Sequence, residues 1–233
     1  MIIIMPSVTS NTTIREYQKF VGEVYGSNNN RFFDTWDMFS NLLRFTMRGL
    51  KGIRKNKHEK VKINLLIAFS WFTSIVNRLN IDLEEEVWKN FPYSCSYCRK
   101  CPCICKEEKV IEKRKLPIDD TKRPKTLKEF QIMFEEIYPS KSRTLEHSGV
   151  HLGEELGEFS EAILNYRSSE YKESEFEKVK DEAADFFSCM MGVFNSLNVN
   201  IAKELSIMFN NNCHVCKKAP CECNFIDVMK FES

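Results

Sequence analysis

Apolar residues recur along this chain at intervals of three and four, the spacing of one helix face, and no stretch shows convincing strand alternation. Thr13 opens TIREYQKFVGEVY and Thr126 opens TLKEFQIMFEEIY, each a polar cap followed by such a face. Further on, Leu152, Leu156, Phe159 and Ile163 form one stripe, and Val179, Ala183, Phe186, Met190 and Leu197 form another. The pattern predicts a short opening helix, two long helices and a short fourth helix over roughly 126–138, 145–167, 174–198 and 200–210, with a matching set in the first half. Only 8 Gly and 7 Pro in 233 residues leave few turns, which also disfavours a many-stranded fold.

The same elements occur twice. Residues 76–105 align without gaps on 194–223 with 11 identities in 30 positions, so the chain is a tandem duplication. The expected organisation is a first repeat over 1–105, a charged linker with two Pro over 106–125, and a second repeat over 126–233. The expected fold class is all-α, two tandem helical bundle repeats packed as a pseudo-dimer, each with a small Cys-rich knuckle.

Composition sets the setting for any chemistry. The 34 Lys and Arg against 33 Asp and Glu leave no overall basic field, so neither nucleic acid nor an anionic membrane is supported as a partner. The opening MIIIMP is too short for a membrane span or a signal peptide, and no later apolar run approaches the roughly 20 residues a span needs. A cytoplasmic protein with reduced thiols is expected, and nine of the ten Cys fall in two clusters, which points to metal rather than disulfides.

Both clusters share the frame C-x2-C-x4-C-x-C: Cys95, Cys98, Cys103 and Cys105, then Cys213, Cys216, Cys221 and Cys223. Four thiolates so close in sequence suit a closed, tetrahedral, structural Zn²⁺ site. Cys101 before Pro102 resembles part of an iron–sulfur run, but its counterpart is Ala219 while the framed Cys persist, so zinc fits both copies better.

The second repeat also carries paired acids. On a helical projection, Glu155 and Glu158 lie on one flank of the first long stripe, and Glu182 and Asp185 lie on the same flank of the second. Two antiparallel helices can bring the four together, where their mutual repulsion calls for a hard cation such as Mg²⁺ or Mn²⁺. The plainer reading of a lone ExxE is a solvated surface, and the matched second pair argues against it.

EELGE (Glu154 to Glu158) followed by EAAD (Glu182 to Asp185) resembles the EExxE…ExxD signature of the MazG-like, all-α nucleoside triphosphate pyrophosphohydrolases, and the flanking helices are similar across about 126–210. The resemblance implies Mg²⁺-dependent hydrolysis of a standard or non-standard nucleoside triphosphate to the monophosphate and pyrophosphate. It implies Glu154, Glu155, Glu158, Glu182 and Asp185 as catalytic residues, with the last four as Mg²⁺ ligands; Glu154 projects outward. It also implies an assembly that the two repeats mimic within one chain, or a homodimer of that pair.

The first repeat has lost this equipment. Asn64 and Ile67 stand opposite Glu182 and Asp185, and FFDTWDMFSNLLRF has no ExxE. Residues 31–62 carry nine Lys or Arg against three acids, whereas 145–185 carry twelve acids against four bases, so the halves should attract. Arg44, Arg48 or Lys51 could then reach triphosphate oxygens, although a solvated basic face explains any single one of them. His151, His147 and Arg143 lie near the carboxylates as weaker candidates, Cys189 reads as a small apolar residue, and Trp36, Trp71 and Trp88 read as packing. The rival readings are a non-enzymatic nucleotide-sensing or protein-interaction module with structural zinc, and an enzyme resembling phosphoribosyl-ATP pyrophosphohydrolases.

Overall fold

The computed structural model describes residues 7–108 and 118–231; the MIIIMP opening and residues 109–117 of the expected linker lie outside the described residues. All regular structure among the described residues is helical, and none of those helices is long and apolar enough to cross a membrane.

The first repeat folds as α1 (Ile14–Phe32), α2 (Thr35–Arg54), α3 (His58–Arg78) and α4 (Leu83–Asn90), followed after the knuckle by the short α5 (Cys105–Glu108). The second folds as α6 (Leu127–Ile137), α7 (Leu145–Ser168), α8 (Glu173–Ser196) and α9 (Ile201–Met208), followed by α10 (Phe225–Lys230). Side-chain caps set the starts: Thr13, Asp34, Thr126, Thr144 and Asn200 each accept a hydrogen bond from the amide three residues on.

The duplication extends to matched hydrogen bonds. Gln18 Nε2 donates to Asn77 Oδ1 at 3.0 Å and to the Ile81 carbonyl at 2.9 Å. Gln131 Nε2 donates likewise to Asn195 Oδ1 at 2.9 Å and to the Val199 carbonyl at 2.7 Å. Asn80 and Asn198 turn each repeat after its third helix with φ of 54° and 55°, a left-handed conformation that Asn tolerates.

The compact units do not coincide with the repeats expected at 1–105 and 126–233. One unit holds the chain up to Asp82 together with everything from Asn200 onward, and the other holds Leu83–Val199. The second unit is therefore built on α6, α7 and α8 of the second repeat, completed by α4 and the knuckle of the first; α4 packs on α8. Phe91, at the end of α4, is buried edge-on against Phe134 with centroids 5.1 Å apart, and Lys89 bridges to Glu177 at 3.0 Å.

The first unit reverses the exchange. Phe209, the counterpart of Phe91, packs against Phe20 and Tyr17 of α1, and Glu204 of α9 pairs with Lys62 of α3 at 3.2 Å. Each fourth helix thus covers the core of the other repeat. The two repeats offer matching apolar faces, so the helix pattern fits either its own bundle or the other one equally well.

Helix α1 runs well beyond the expected short helix, through the poor helix formers of GSNNN. Tertiary contacts override propensity here. Arg78 donates to the carbonyls of Phe33 and Asn29 at 2.7 and 3.0 Å, and Asn28 donates to the carbonyl of Cys223. The extension is the platform on which the second knuckle sits.

Candidate functional site

Helix α7 runs antiparallel to α8. The Ser148 and Ser196 hydroxyls meet at 3.0 Å near one end of the pair, and Phe159 stacks on Phe186 at 6.3 Å midway. Burial of Leu152, Leu156, Val179, Ala183 and these two Phe fixes the rotation of both helices. Their shared flank then faces a cavity of about 540 Å³ within the second unit, lined by Glu155, Glu158, Glu182 and Asp185.

Glu155, Glu158 and Glu182 each bring a carboxylate oxygen within 4.8 Å of the other two, a spacing that a hard cation can span with small adjustments. Asp185 lines the same cavity outside that cluster. Glu154 is exposed and does not line it. Burial, and then the carboxylates of Glu155 and Asp185, push the thiol of Cys189, which also lines the cavity, upward.

Arg143 and two His line the same cavity. A turn before α7 places Arg143: its Nη2 donates to the Tyr138 carbonyl at 3.1 Å, and its guanidinium lies 5.9 Å from the centre of the Tyr138 ring. Its tip rests against α8 at Gly192, where an added Cβ would stand only 2.8 Å from Nη2. His147 and His151, one turn apart with ring centres 4.3 Å from each other, also line the cavity. Burial, reinforced by His147, holds His151 below the usual imidazole range.

The remaining wall comes from the first repeat's knuckle through Ser96, Tyr97, Ile104 and Lys106, among others. Neither the wall nor Lys106 was foreseen from the sequence. The knuckle is tied down by the Cys103 amide, which donates to the Ile137 carbonyl at 2.8 Å. Beside it Tyr138 is half-buried, and desolvation followed by the adjacent Cys95 pushes its hydroxyl well up.

Both Cys₄ clusters are compatible with zinc. The four sulfur atoms of each lie within 4.8 Å of one another, with pairs at 3.6 Å (Cys95–Cys105), 3.8 Å (Cys98–Cys103), and 3.9 Å (Cys213–Cys223 and Cys216–Cys221). Tetrahedral zinc with bonds of about 2.3 Å sets its sulfurs about 3.8 Å apart. These separations leave room for one ion and not for a multi-iron cluster.

Backbone amides aim at the sulfurs: Tyr97 at Cys95 (3.4 Å), Ile104 at Cys98 (3.4 Å) and Val215 at Cys213 (3.3 Å). Both knuckles turn through a left-handed residue, Arg99 or Lys217, and both contain a cis peptide before Pro102 or Pro220. Cys101 is exposed and outside the sulfur cluster.

The first unit has no matching carboxylate cluster among the described residues, and Asn64 and Ile67 are both buried in α3. Arg44 directs its guanidinium to the carbonyls of Val228 and Met229 at 2.9 and 3.2 Å, and Arg48 donates to the carbonyl of Phe231 at 3.2 Å. Trp88 is buried and donates to Asp120 at 2.8 Å, in keeping with a packing role. Compared with known families, curated proteins and solved structures, the chain matches none.

Proposed function

We propose that the cavity of the second unit hydrolyses nucleoside triphosphates to the monophosphate and pyrophosphate with the help of Mg²⁺ or Mn²⁺. The observation that carries this reading is a cluster of three carboxylates in one cavity that Arg143 and Lys106 also line. Glu155, Glu158 and Glu182 would hold the metal. Oxygen pairs on an Mg²⁺ octahedron are about 2.9–4.1 Å apart, and the cluster's spread of up to 4.8 Å needs only modest side-chain movement to reach that. When bound, the metal supplies Lewis acidity to the phosphoryl oxygens and acidifies the attacking water.

The protein's own groups do the rest. Arg143 and Lys106, which line the same cavity, would neutralise the phosphate chain and orient its α–β bridge toward the carboxylates. Asp185 lies in the cavity but outside the three-oxygen cluster, which suits it to take the proton of the attacking water. Water adds at phosphorus, the bridging P–O bond breaks, and pyrophosphate leaves. The cavity falls within the 300–1,000 Å³ typical of small-molecule sites, which suits a nucleotide.

The deciding experiment is product analysis with a panel of standard and modified nucleoside triphosphates and Mg²⁺, beside a Glu155→Gln, Glu158→Gln control. Monophosphate and pyrophosphate that vanish in the control are expected. No turnover across the panel by folded, zinc-loaded protein would overturn the enzyme reading.

A further inference from the structure

The end of α2 and the start of α3 form a second cavity, of about 280 Å³, in the first unit. Its lining holds Arg48, Lys51, Lys55, Lys57 and Lys60 around Asn64, and no acid. Such clustering is out of proportion to a chain of net charge +1: residues 44–62 contain eight Lys or Arg and one acid, Glu59. That acid pairs at 2.8 Å with Lys62, which is not in the lining. Like charges this crowded raise the energy of the folded state unless an anion enters among them.

Local structure holds the group together. Gly52 and Val61 bring the helices so close that a Cβ on Gly52 would stand 2.9 Å from Val61 Cγ2. The tight turn between them, with Asn56 at φ 50°, draws Lys55 and Lys57 to one rim. Arg48 is fixed by its bond to the Phe231 carbonyl and by its approach to the Phe45 ring, 5.6 Å from the centroid. Asn64 stands in the repeat where the second copy has Glu182, and its amide donates to the Lys60 carbonyl at 2.6 Å. An amide replaces the carboxylate, and Lys57 stands where the second copy has Glu175, so the charge that this position attracts is reversed.

We propose that this cavity binds a condensed phosphate chain, either inorganic or the tail of a nucleotide. Its volume lies just under the roughly 300 Å³ at which sites for whole small molecules begin. It takes the phosphates and leaves any nucleoside in solvent. None of its residues lines the carboxylate cavity, so the site stands or falls independently of the proposed hydrolysis.

The test is calorimetric titration of the full-length, zinc-loaded protein carrying Glu155→Gln, without added Mg²⁺, using tripolyphosphate, pyrophosphate, ATP and a single-stranded RNA oligonucleotide. One equivalent of tripolyphosphate should bind, more weakly as salt rises. A Lys55→Glu, Lys57→Glu variant should bind it roughly tenfold or more weakly, while Lys55→Arg, Lys57→Arg retains binding. Both Lys are exposed, so folding is unaffected, as a melting curve will verify. ATP binding as tightly as tripolyphosphate, or more tightly, supports the shared chemistry and separates its two sources. Absence of saturable binding, or equal binding by the charge-reversed variant, overturns the proposal. So does RNA that outcompetes tripolyphosphate with affinity rising with length, which would mark a nucleic-acid face instead.

Discussion

The amide of Cys103 donates to the carbonyl of Ile137 at 2.8 Å, joining the first repeat's knuckle to the second repeat's opening helix. The counterpart bond runs the other way, from the Cys221 amide to the Val24 carbonyl at 2.7 Å. Because the first of these bonds sets a wall of the carboxylate cavity, the two knuckles have different duties despite one sequence frame.

Metal analysis of the native protein should therefore find two zinc ions per chain. Cys98→Ser should remove one and abolish most hydrolysis, because the wall that carries Lys106 loses its anchor. Cys216→Ser should remove the other and lower the melting temperature while much of the turnover survives. Equal activity losses in the two variants would contradict this division.

Glu182→Gln should reduce turnover roughly a hundredfold or more if Glu182 holds the metal. The melting temperature without metal should stay level or rise, since the substitution removes one of three clustered negative charges. A steady-state assay and a melting curve on the same sample check both halves.

Gly192→Ala should push the Arg143 guanidinium aside, because the new Cβ would meet its tip at 2.8 Å. The helix itself gains up to about 1 kcal/mol from Ala over Gly, so stability should hold or improve. KM for the triphosphate should rise several-fold, and Arg143→Ala should show the same rise. A KM unchanged in both variants would remove Arg143 from the phosphate site.

Phe91→Ala should destabilise the protein by about 3–5 kcal/mol, since the ring is fully buried against Phe134 and Tyr138. Denaturant titration gives the value, and the accompanying loss of cavity structure should appear as lost nucleotide binding.

The second repeat's helices were legible because caps and stripes agree: the expected 145–167 is Leu145–Ser168, and 174–198 is Glu173–Ser196. The projection that set Glu155, Glu158, Glu182 and Asp185 on one flank matches the cavity they line, since core burial alone fixes helix rotation. The length of α1 was illegible, because Asn28 and Asn29 are held helical by Cys223 and Arg78, far away in sequence. The exchange of α4 and α9 was illegible for a different reason. Phe91 and Phe209 are equivalent residues facing equivalent aromatic clusters, so periodicity has no means of telling the two destinations apart.

The exchange of fourth helices also bears on how the first repeat differs from the second. Its carboxylates are gone, yet its four framed Cys and its fourth helix are intact. Asn64 and Ile67, which stand opposite Glu182 and Asp185, lie in one unit, whereas the four framed Cys and α4 complete the unit that holds the other repeat's acids. Neither half of the coding sequence specifies a finished unit, so deleting the first half would dismantle the unit that holds the clustered acids.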